Sequence, residues 1–268
     1  MHHSAISDRE FSQFQRFIYD AAGISLSPSK KALVCGRLSR RLSHHLLGSY
    51  GDYFSLLSSG RAPDENALVV DLLTTNETYF FREPKHFELL RSLALAARER
   101  SQSFRVWSAA CSSGEEAYSI AMVLADCLEQ RLWEVLGTDI STRVLRRARY
   151  GHYRMERIDH LPPDYQRRYC LKGSGLYAGT LLIERSLRQR VQFAHANLNG
   201  ALPPMGSFDV IFLRNVLIYF NTETKRQVVA RALALLKPGG HLLVSHSETL
   251  SDIGAAVTPL APSIYQKS

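Results

Sequence analysis

Val106-Trp107-Ser108-Ala109-Ala110-Cys111-Ser112-Ser113-Gly114-Glu115-Glu116 is an apolar, β-like run that breaks into small residues and then opens a helix. Beyond the break, Ala117, Ile120, Ala121, Leu124 and Leu128 recur at spacings of three and four, the apolar face of a helix packed on a sheet. In open α/β sheets such a junction binds nucleotides, because the turn lies at the carboxyl end of a strand and exposes backbone N–H groups. The turn is not G-x-G-x-x-G, which argues against a pyrophosphate ligand and for a nucleoside without phosphates.

Downstream, strand and helix alternate. Residues 133–138 read as a second strand ending in Asp139, and Ser141 caps a short helix carrying Val144, Leu145 and Ala148. Residues 191–194 and 208–213 read as strands, 222–236 as a helix, Lys237-Pro238-Gly239-Gly240 as a turn and 241–245 as a further strand. The alternation predicts a parallel sheet with right-handed crossovers. Residues 162–190 break the pattern: the run from Tyr169 to Ile183, with its glycine-rich centre, predicts an antiparallel insertion.

Upstream, the pattern is helical. Phe11, Phe14, Phe17 and Ile18 form an apolar stripe that Gly23 ends. Ser27-Pro28 reads as an N-cap opening a helix to about Leu47, with Val34, Leu38, Leu42 and Leu46 on one arc and Lys30, Arg37, Arg40 and Arg41 on the next. No acid occurs between Asp20 and Asp52, so this basic stripe lacks i,i+4 carboxylates. It reads either as a solvated face or as a docking face for an acidic partner. Residues 52–57 and 66–73 complete a small helical unit, and 86–99 form a connecting helix through Phe87, Leu90, Leu93 and Leu95. Between them, Phe80 and Phe81 anchor a short polar segment whose Asn76, Thr78 and Arg82 would be held in place as donors.

Composition narrows the classes. The chain has 268 residues, 45% hydrophobic and 22% charged, as in an ordinary globular protein, and no apolar run approaches the roughly 20 residues that cross a bilayer. Met1-His2-His3-Ser4 opens no signal peptide, so a cytoplasmic location is expected. Cys35, Cys111, Cys127 and Cys170 form no C-x-x-C pair, and the histidines form no H-x-x-x-H; neither a disulfide framework nor a metal site is expected. The net charge of +8 favours an acidic surface, nucleic acid or anionic lipid.

Asp139, at the end of the second strand, stands where an acid accepts ribose hydroxyls. Glu115 beside the turn would repel phosphate and attract an ammonium group, as a cationic nucleoside such as S-adenosylmethionine carries. His195-Ala196-Asn197-Leu198 and Arg214-Asn215-Val216-Leu217-Ile218-Tyr219-Phe220 put polar residues at two further carboxyl-terminal strand ends.

These stretches together with Asn76-x-Thr78-x-Phe80-Phe81-Arg82 and Leu235-Leu236-Lys237-Pro238-Gly239-Gly240 closely resemble the chemotaxis-receptor glutamate O-methyltransferases. The resemblance implies a class I methyltransferase-like, doubly wound α/β sheet in residues 101–268, with a small antiparallel β insertion at about 162–190. It also implies an all-α domain at 1–85 and a linker helix at 86–100. It implies S-adenosylmethionine as donor, S-adenosylhomocysteine as product, and glutamates on the cytoplasmic signalling helices of chemoreceptors as acceptors. Asn76, Thr78, Arg82, Ala109, Glu115, Asp139, Asn197, Leu198, Asn215 and Val216 would line the donor site, with Arg82 and Tyr219 beside the transferring methyl. Lys30, Arg37, Arg40 and Arg41 resemble the family's receptor-docking helix, and Gly173-x-Gly175 its loop for a receptor C-terminal tether peptide. The rival readings are an RNA methyltransferase and a non-catalytic adaptor of the same fold. The basic stripe lacks the aromatic interleaving of a single-strand binding surface, so no nucleic-acid partner is expected.

Overall fold

The computed structural model describes residues 5–268; Met1-His2-His3-Ser4 lies outside them. The chain divides into two compact units, Met1–Thr75 with Tyr219–Thr224, and Asn76–Ile218 with Lys225–Ser268.

The first unit is helical. In α1 (Asp8–Ala22), Ser7 and Glu10 form a reciprocal capping box, and Gly23 closes the helix in the left-handed region at φ 73°. Phe11, Phe14 and Ile18 are buried, as their spacing predicts. Ser27 stands at the N-cap with Pro28 at the first helical position, as expected, but the helix opens as a 3₁₀ turn, Pro28–Lys30, the Ser27 hydroxyl bonds Ser29 Oγ rather than a backbone N–H, and α2 runs from Lys31 to His44. Val34, Leu38 and Leu42 are buried, but Leu46 lies beyond the helix end at φ 55° and is 79% exposed, so it leaves the predicted arc. α3 (Tyr50–Ser58) is capped by Ser49, and α4 (Pro63–Leu73) starts on a proline. Phe14 packs against Tyr50, Tyr53 and Phe54 at the centre of this unit. The returning segment joins it through an antiparallel bridge between Ile24 and Phe220.

The second unit holds α5 (Pro84–Glu99), β1 (Phe104–Ser108), α6 (Glu115–Leu128), β2 (Trp133–Asp139) and α7 (Thr142–Tyr150). After these come β3 (His152–Arg154), α8 (Pro163–Tyr169), β4 (Cys170–Lys172), β5 (Thr180–Ile183), α9 (Arg185–Arg188), β6 (Val191–His195) and β7 (Phe208–Phe212). It ends with the part of α10 (Thr222–Ala234) from Lys225 on, then β8 (Leu236–Leu243), β9 (Val257–Ala261) and β10 (Ile264–Lys267). The main sheet has the order β6-β2-β1-β7-β8-β10-β9. β6, β2, β1, β7 and β8 pair in parallel, while β10 is antiparallel to both its neighbours. The chain moves outward from β1 through β2 to β6 and then restarts on the other side of β1, so right-handed crossovers put helices on both faces. This is the doubly wound sheet expected, with its switch point between β1 and β7.

Three details differ from the sequence reading. The Lys237–Gly240 turn lies inside β8, where a register shift against β7 absorbs it. The insertion is a three-stranded sheet, β3-β5-β4, and β3 precedes residue 162. Leu95 is exposed on α5; Ala94 and Ala97 are the buried positions there.

Candidate functional site

Four neighbouring parallel strands, β6, β2, β1 and β7, end along one edge, with Asp139 opposite His195 and Ser108 opposite both Gly137 and Phe212. The residues that follow these ends stand in a row: Asn197 and Leu198 after β6, Asp139 at the end of β2, Ala109 to Ser112 after β1, and Asn215 and Val216 after β7. Thus the fold brings together, along the carboxyl edge, residues drawn from four separate stretches of sequence.

The turn after β1 differs from the expected one in a telling way. Its backbone N–H groups are engaged: Ala109 donates to Phe212, Cys111 to Thr138 and Gly114 to Cys111, at 2.8, 2.9 and 3.0 Å. Ser112 donates its N–H to Asp139 Oδ2 at 2.9 Å. Four of the turn's backbone N–H groups are thus spent within the fold. Gly114 caps α6 at φ 97°, and a Cβ there would meet Ala148 Cβ at 2.9 Å, so only glycine fits.

Asp139 also accepts from the Ser141 N–H through Oδ1, at 2.9 Å. It fixes the turns after β1 and β2 to each other.

Glu115 is fully buried. Its Oε2 accepts from Ser113 Oγ at 2.7 Å, whereas Oε1 has no hydrogen-bond partner among the described residues and lies 3.7 Å from Arg157 Nε. Burial raises its pKa above the ordinary carboxylate value, against the lowering effect of Ser113. An orphaned buried oxygen of this kind fits the ammonium group of S-adenosylmethionine.

The segment from Asn76 to Glu83 is irregular but pinned. Phe80 stacks edge-on against Tyr153 and Phe81 lies on Tyr165, with centroids 5.0 and 5.2 Å apart. The Asn76 carbonyl accepts from Ser112 Oγ at 2.9 Å, and that of Thr78 from Arg157. Arg82 is half-buried, donates to the Glu77 carbonyl at 3.3 Å and lies over the Tyr79 ring; no carboxylate pairs with it among the described residues. Asn197 Oδ1 accepts from the Asn199 N–H, and the Leu198 carbonyl is held by Arg231 of α10. Asn215 sits at φ 58°, its N–H on Glu248. Tyr219 belongs to the helical unit, where its carbonyl accepts from Ser25 at 2.8 Å.

Sequence reasoning missed the groups beneath this row. Arg214, fully buried, donates to Glu116 at 2.9 Å and to the Arg82 carbonyl, tying the polar segment to the end of β7. Glu248 accepts from the N–H groups of Asn215, Ile218 and Ser245 and so shapes the loop after β7. Arg214 is adjacent to a predicted site residue and Glu248 follows the last parallel strand; only the fold joins them.

The four cations of the basic stripe part company. Arg37 donates to the Leu73 and Thr74 carbonyls, at 2.9 and 3.0 Å, and to Thr75 Oγ1. Arg41 makes two bonds to the buried Glu65, at 2.7 and 2.8 Å. Lys30 and Arg40 are exposed.

In the insertion, a cavity of about 580 Å³ is lined by Arg147, His152, Lys172, Gly173, Tyr177 and Arg188 among others, and by no acid. Gly173 lies on that cavity; a Cβ there would meet the Tyr177 carbonyl at 2.0 Å, and Gly175 has φ 57°.

Residues 9–74 match the family described as "CheR methyltransferase, all-alpha domain", and residues 76–261 the one described as "CheR methyltransferase, SAM binding domain". A chemotaxis protein methyltransferase of Escherichia coli K12 is 42% identical over 98% of this chain and 92% of its own length. Chemotaxis protein methyltransferase 2 of Pseudomonas aeruginosa is 41% identical over 96% of this chain and 92% of its own. Among solved structures, a glycopeptide N-methyltransferase complexed with sinefungin aligns over 57% of this chain and 48% of its own, at 18% identity and a TM-score of 0.34.

Proposed function

This chain belongs to the CheR methyltransferase family, and on that premise we propose that it methylates glutamate side chains on the cytoplasmic helices of chemoreceptors, giving methyl esters. The row of residues along the carboxyl edge of β6-β2-β1-β7, with the buried orphan oxygen of Glu115 beside it, is the observation that carries the reading. S-adenosylmethionine, when bound, supplies a methyl group on a sulfonium, already electrophilic.

Glu115 would hold the donor's ammonium group and Asp139 its ribose, with Asn76, Thr78, Ala109, Asn197, Leu198, Asn215 and Val216 around them. A glutamate acceptor has a pKa near 4.3 and is ionised at neutral pH, so no general base is required. The chain's task is to orient a weak nucleophile and exclude water, a proximity effect of up to roughly 7–11 kcal/mol. Arg82 suits that task because its charge is not neutralised by any carboxylate among the described residues. Tyr219 is proposed as its partner beside the methyl.

The insertion would hold the C-terminal peptide of a receptor through the loop at Gly173 and Gly175. Its acid-free, Arg- and Lys-lined cavity matches a peptide ending in a carboxylate. The cytoplasm follows as the compartment where such helices lie; no helix among the described residues is long and apolar enough to cross a membrane.

The test is incubation with methyl-labelled donor and a receptor cytoplasmic fragment. Label released by mild alkali as volatile methanol is expected. Alkali-stable label, or transfer to RNA instead, would overturn the assignment, and an inert protein that still binds the fragment would make it an adaptor.

A further inference from the structure

Glu83, His86 and His246 converge in the α/β unit, and the methyl-transfer reading does not use them as a group. Glu83 Oε2 lies 3.4 Å from His86 Nδ1 and 3.9 Å from His246 Nε2. All three atoms fall within 4.8 Å of one another. His86 is wholly buried, and the Glu83 side chain is 13% exposed; His246, at 53%, forms the open side.

The protons around His86 can be assigned from its neighbours. The Ser263 hydroxyl has one proton, and it goes to the Pro262 carbonyl at 2.6 Å. Ser263 Oγ therefore accepts from His86, 2.8 Å away, and Nε2 carries the ring proton. Nδ1 is then a bare lone pair facing a carboxylate oxygen, and neither atom has a hydrogen-bond partner among the described residues. Two acceptors facing each other in a buried place are costly unless a positive centre lies between them. Glu83 is also held at φ 59°, a left-handed conformation uncommon for a side-chain-bearing residue, at the cap of α5.

We propose that Glu83, His86 and His246 form a binding site for a divalent transition-metal ion of the zinc class, with Ser263 fixing the His86 tautomer. Bonds of about 2.0 Å to zinc in tetrahedral geometry put ligand atoms about 3.3 Å apart. The Glu83–His86 separation already meets this, and the exposed His246 needs only a small swing. A ligating imidazole whose other N–H is bonded outward is the usual arrangement of such sites. Arg214 lies 3.2 Å from Glu83 Oε2 but also pairs with Glu116 at 2.9 Å, so two carboxylates flank one guanidinium and a divalent cation is not repelled by net charge. Three protein ligands leave a fourth position on the solvent side, for water or an incoming donor atom. The ion would clasp the start of α5 to the loop after β8, and through Arg214 it would bear on the Arg82 backbone.

The experiment uses the full chain stripped by a chelator and titrated with zinc against a chromophoric indicator, then with cobalt(II). Wild type is expected to bind one zinc per chain more than His246→Ala, since the pairs His2-His3 and His44-His45 are intact in both. Cobalt is expected to give the strong visible bands of a four-coordinate site in wild type and to lose them in His246→Ala. Zinc should raise the melting temperature of wild type alone. Ser263→Ala should keep the site but weaken it by about 10–100-fold. Equal zinc stoichiometry and equal cobalt spectra in wild type and His246→Ala overturn the proposal and assign a shared proton to the Glu83–His86 gap instead.

Discussion

Two parts of this molecule look alike in sequence and differ in structure: the basic stripe of α2 and the basic run from α7 through the insertion. In α2, half of the stripe is used inside its own unit. Arg37 satisfies carbonyls at the end of α4, where a cation also meets the negative end of the helix dipole. Arg41 grips Glu65, which accepts from Tyr53 as well, at 2.6 Å. Residues 142–190 hold twelve Lys and Arg against four Asp and Glu, so this segment alone carries a net +8; the whole chain has 33 against 25, and the remainder therefore balances at 21 each. Arg143, Arg146, Arg147 and Arg149 are all exposed on α7. The excess charge that suggests an acidic partner thus belongs mainly to the insertion and its neighbour α7, whereas part of α2's charge is structural.

Reversing one cation in each region separates the two roles. Arg41→Glu would set a second carboxylate against the buried Glu65, and breaking a buried pair costs about 3–5 kcal/mol. Urea unfolding followed by circular dichroism is expected to show this loss. A change under about 0.5 kcal/mol, the usual size for an open surface site, would return Arg41 to the docking face and break the contrast.

What made the α2 stripe misleading also marks the limit of the sequence. Periodicity finds local partners, and the parallel sheet, the Phe80–Phe81 anchor and the row of strand ends were legible because each rests on spacing or on a strand terminus. Glu65 lies well beyond the i,i+4 window, so the absence of acids from 21 to 51 looked like free charge. Arg214 and Glu248 were missed for the same reason: their partners come from distant strands. The Ser27 cap was legible in position but not in its bond, since its hydroxyl found Ser29 rather than a helical N–H. β9 and β10 lack the apolar alternation of a half-buried strand, most of β9 being exposed, and their pairing emerges only in the folded sheet.

The Glu65 cluster makes the contrast visible in pH as well. Burial opposes its ionisation, but bonds from Arg41, Tyr53 and His45 outweigh burial and bring its pKa down to about 2. A depressed carboxylate stabilises the fold above its ordinary value of 4.5, and that contribution fades as pH falls toward about 2. A shift of this size corresponds to at most about 3 kcal/mol. Unfolding free energy measured at stepped pH should fall across this window in wild type and lose that component in Glu65→Gln. Parallel curves would mean that the cluster is not the acid-sensitive element of the helical unit.

On the other side of the comparison, Arg147 and Lys172 line the insertion's cavity and are exposed. The double reversal Arg147→Glu and Lys172→Glu is expected to weaken a receptor tail peptide by about tenfold, near 1.4 kcal/mol, at low salt, and by less as salt rises. Unfolding should change by under about 0.5 kcal/mol. Calorimetric titration with the peptide, repeated at two ionic strengths, reads both. Unchanged affinity would remove the peptide from this cavity and leave its cations without a partner of that class.

The smallest effect is expected where α2 still faces outward. Lys30 and Arg40 are exposed, and neither side chain makes a hydrogen bond or ion pair among the described residues, so their charge is available to an approaching acidic helix. Such rim charges act mainly on the rate of encounter: reversing both to Glu should slow association with a receptor fragment several-fold at low salt and hardly at all near 1 M, where the Debye length is about 3 Å. Donor affinity should not move, because both residues lie in the helical unit and the donor-site row is built in the other. Stopped-flow association against salt, beside calorimetry with the donor, measures the two independently. If Lys30→Glu with Arg40→Glu leaves the association rate flat while the reversal at Arg147 and Lys172 lowers it, then the whole electrostatic attraction resides in the insertion and no part of α2's stripe serves docking.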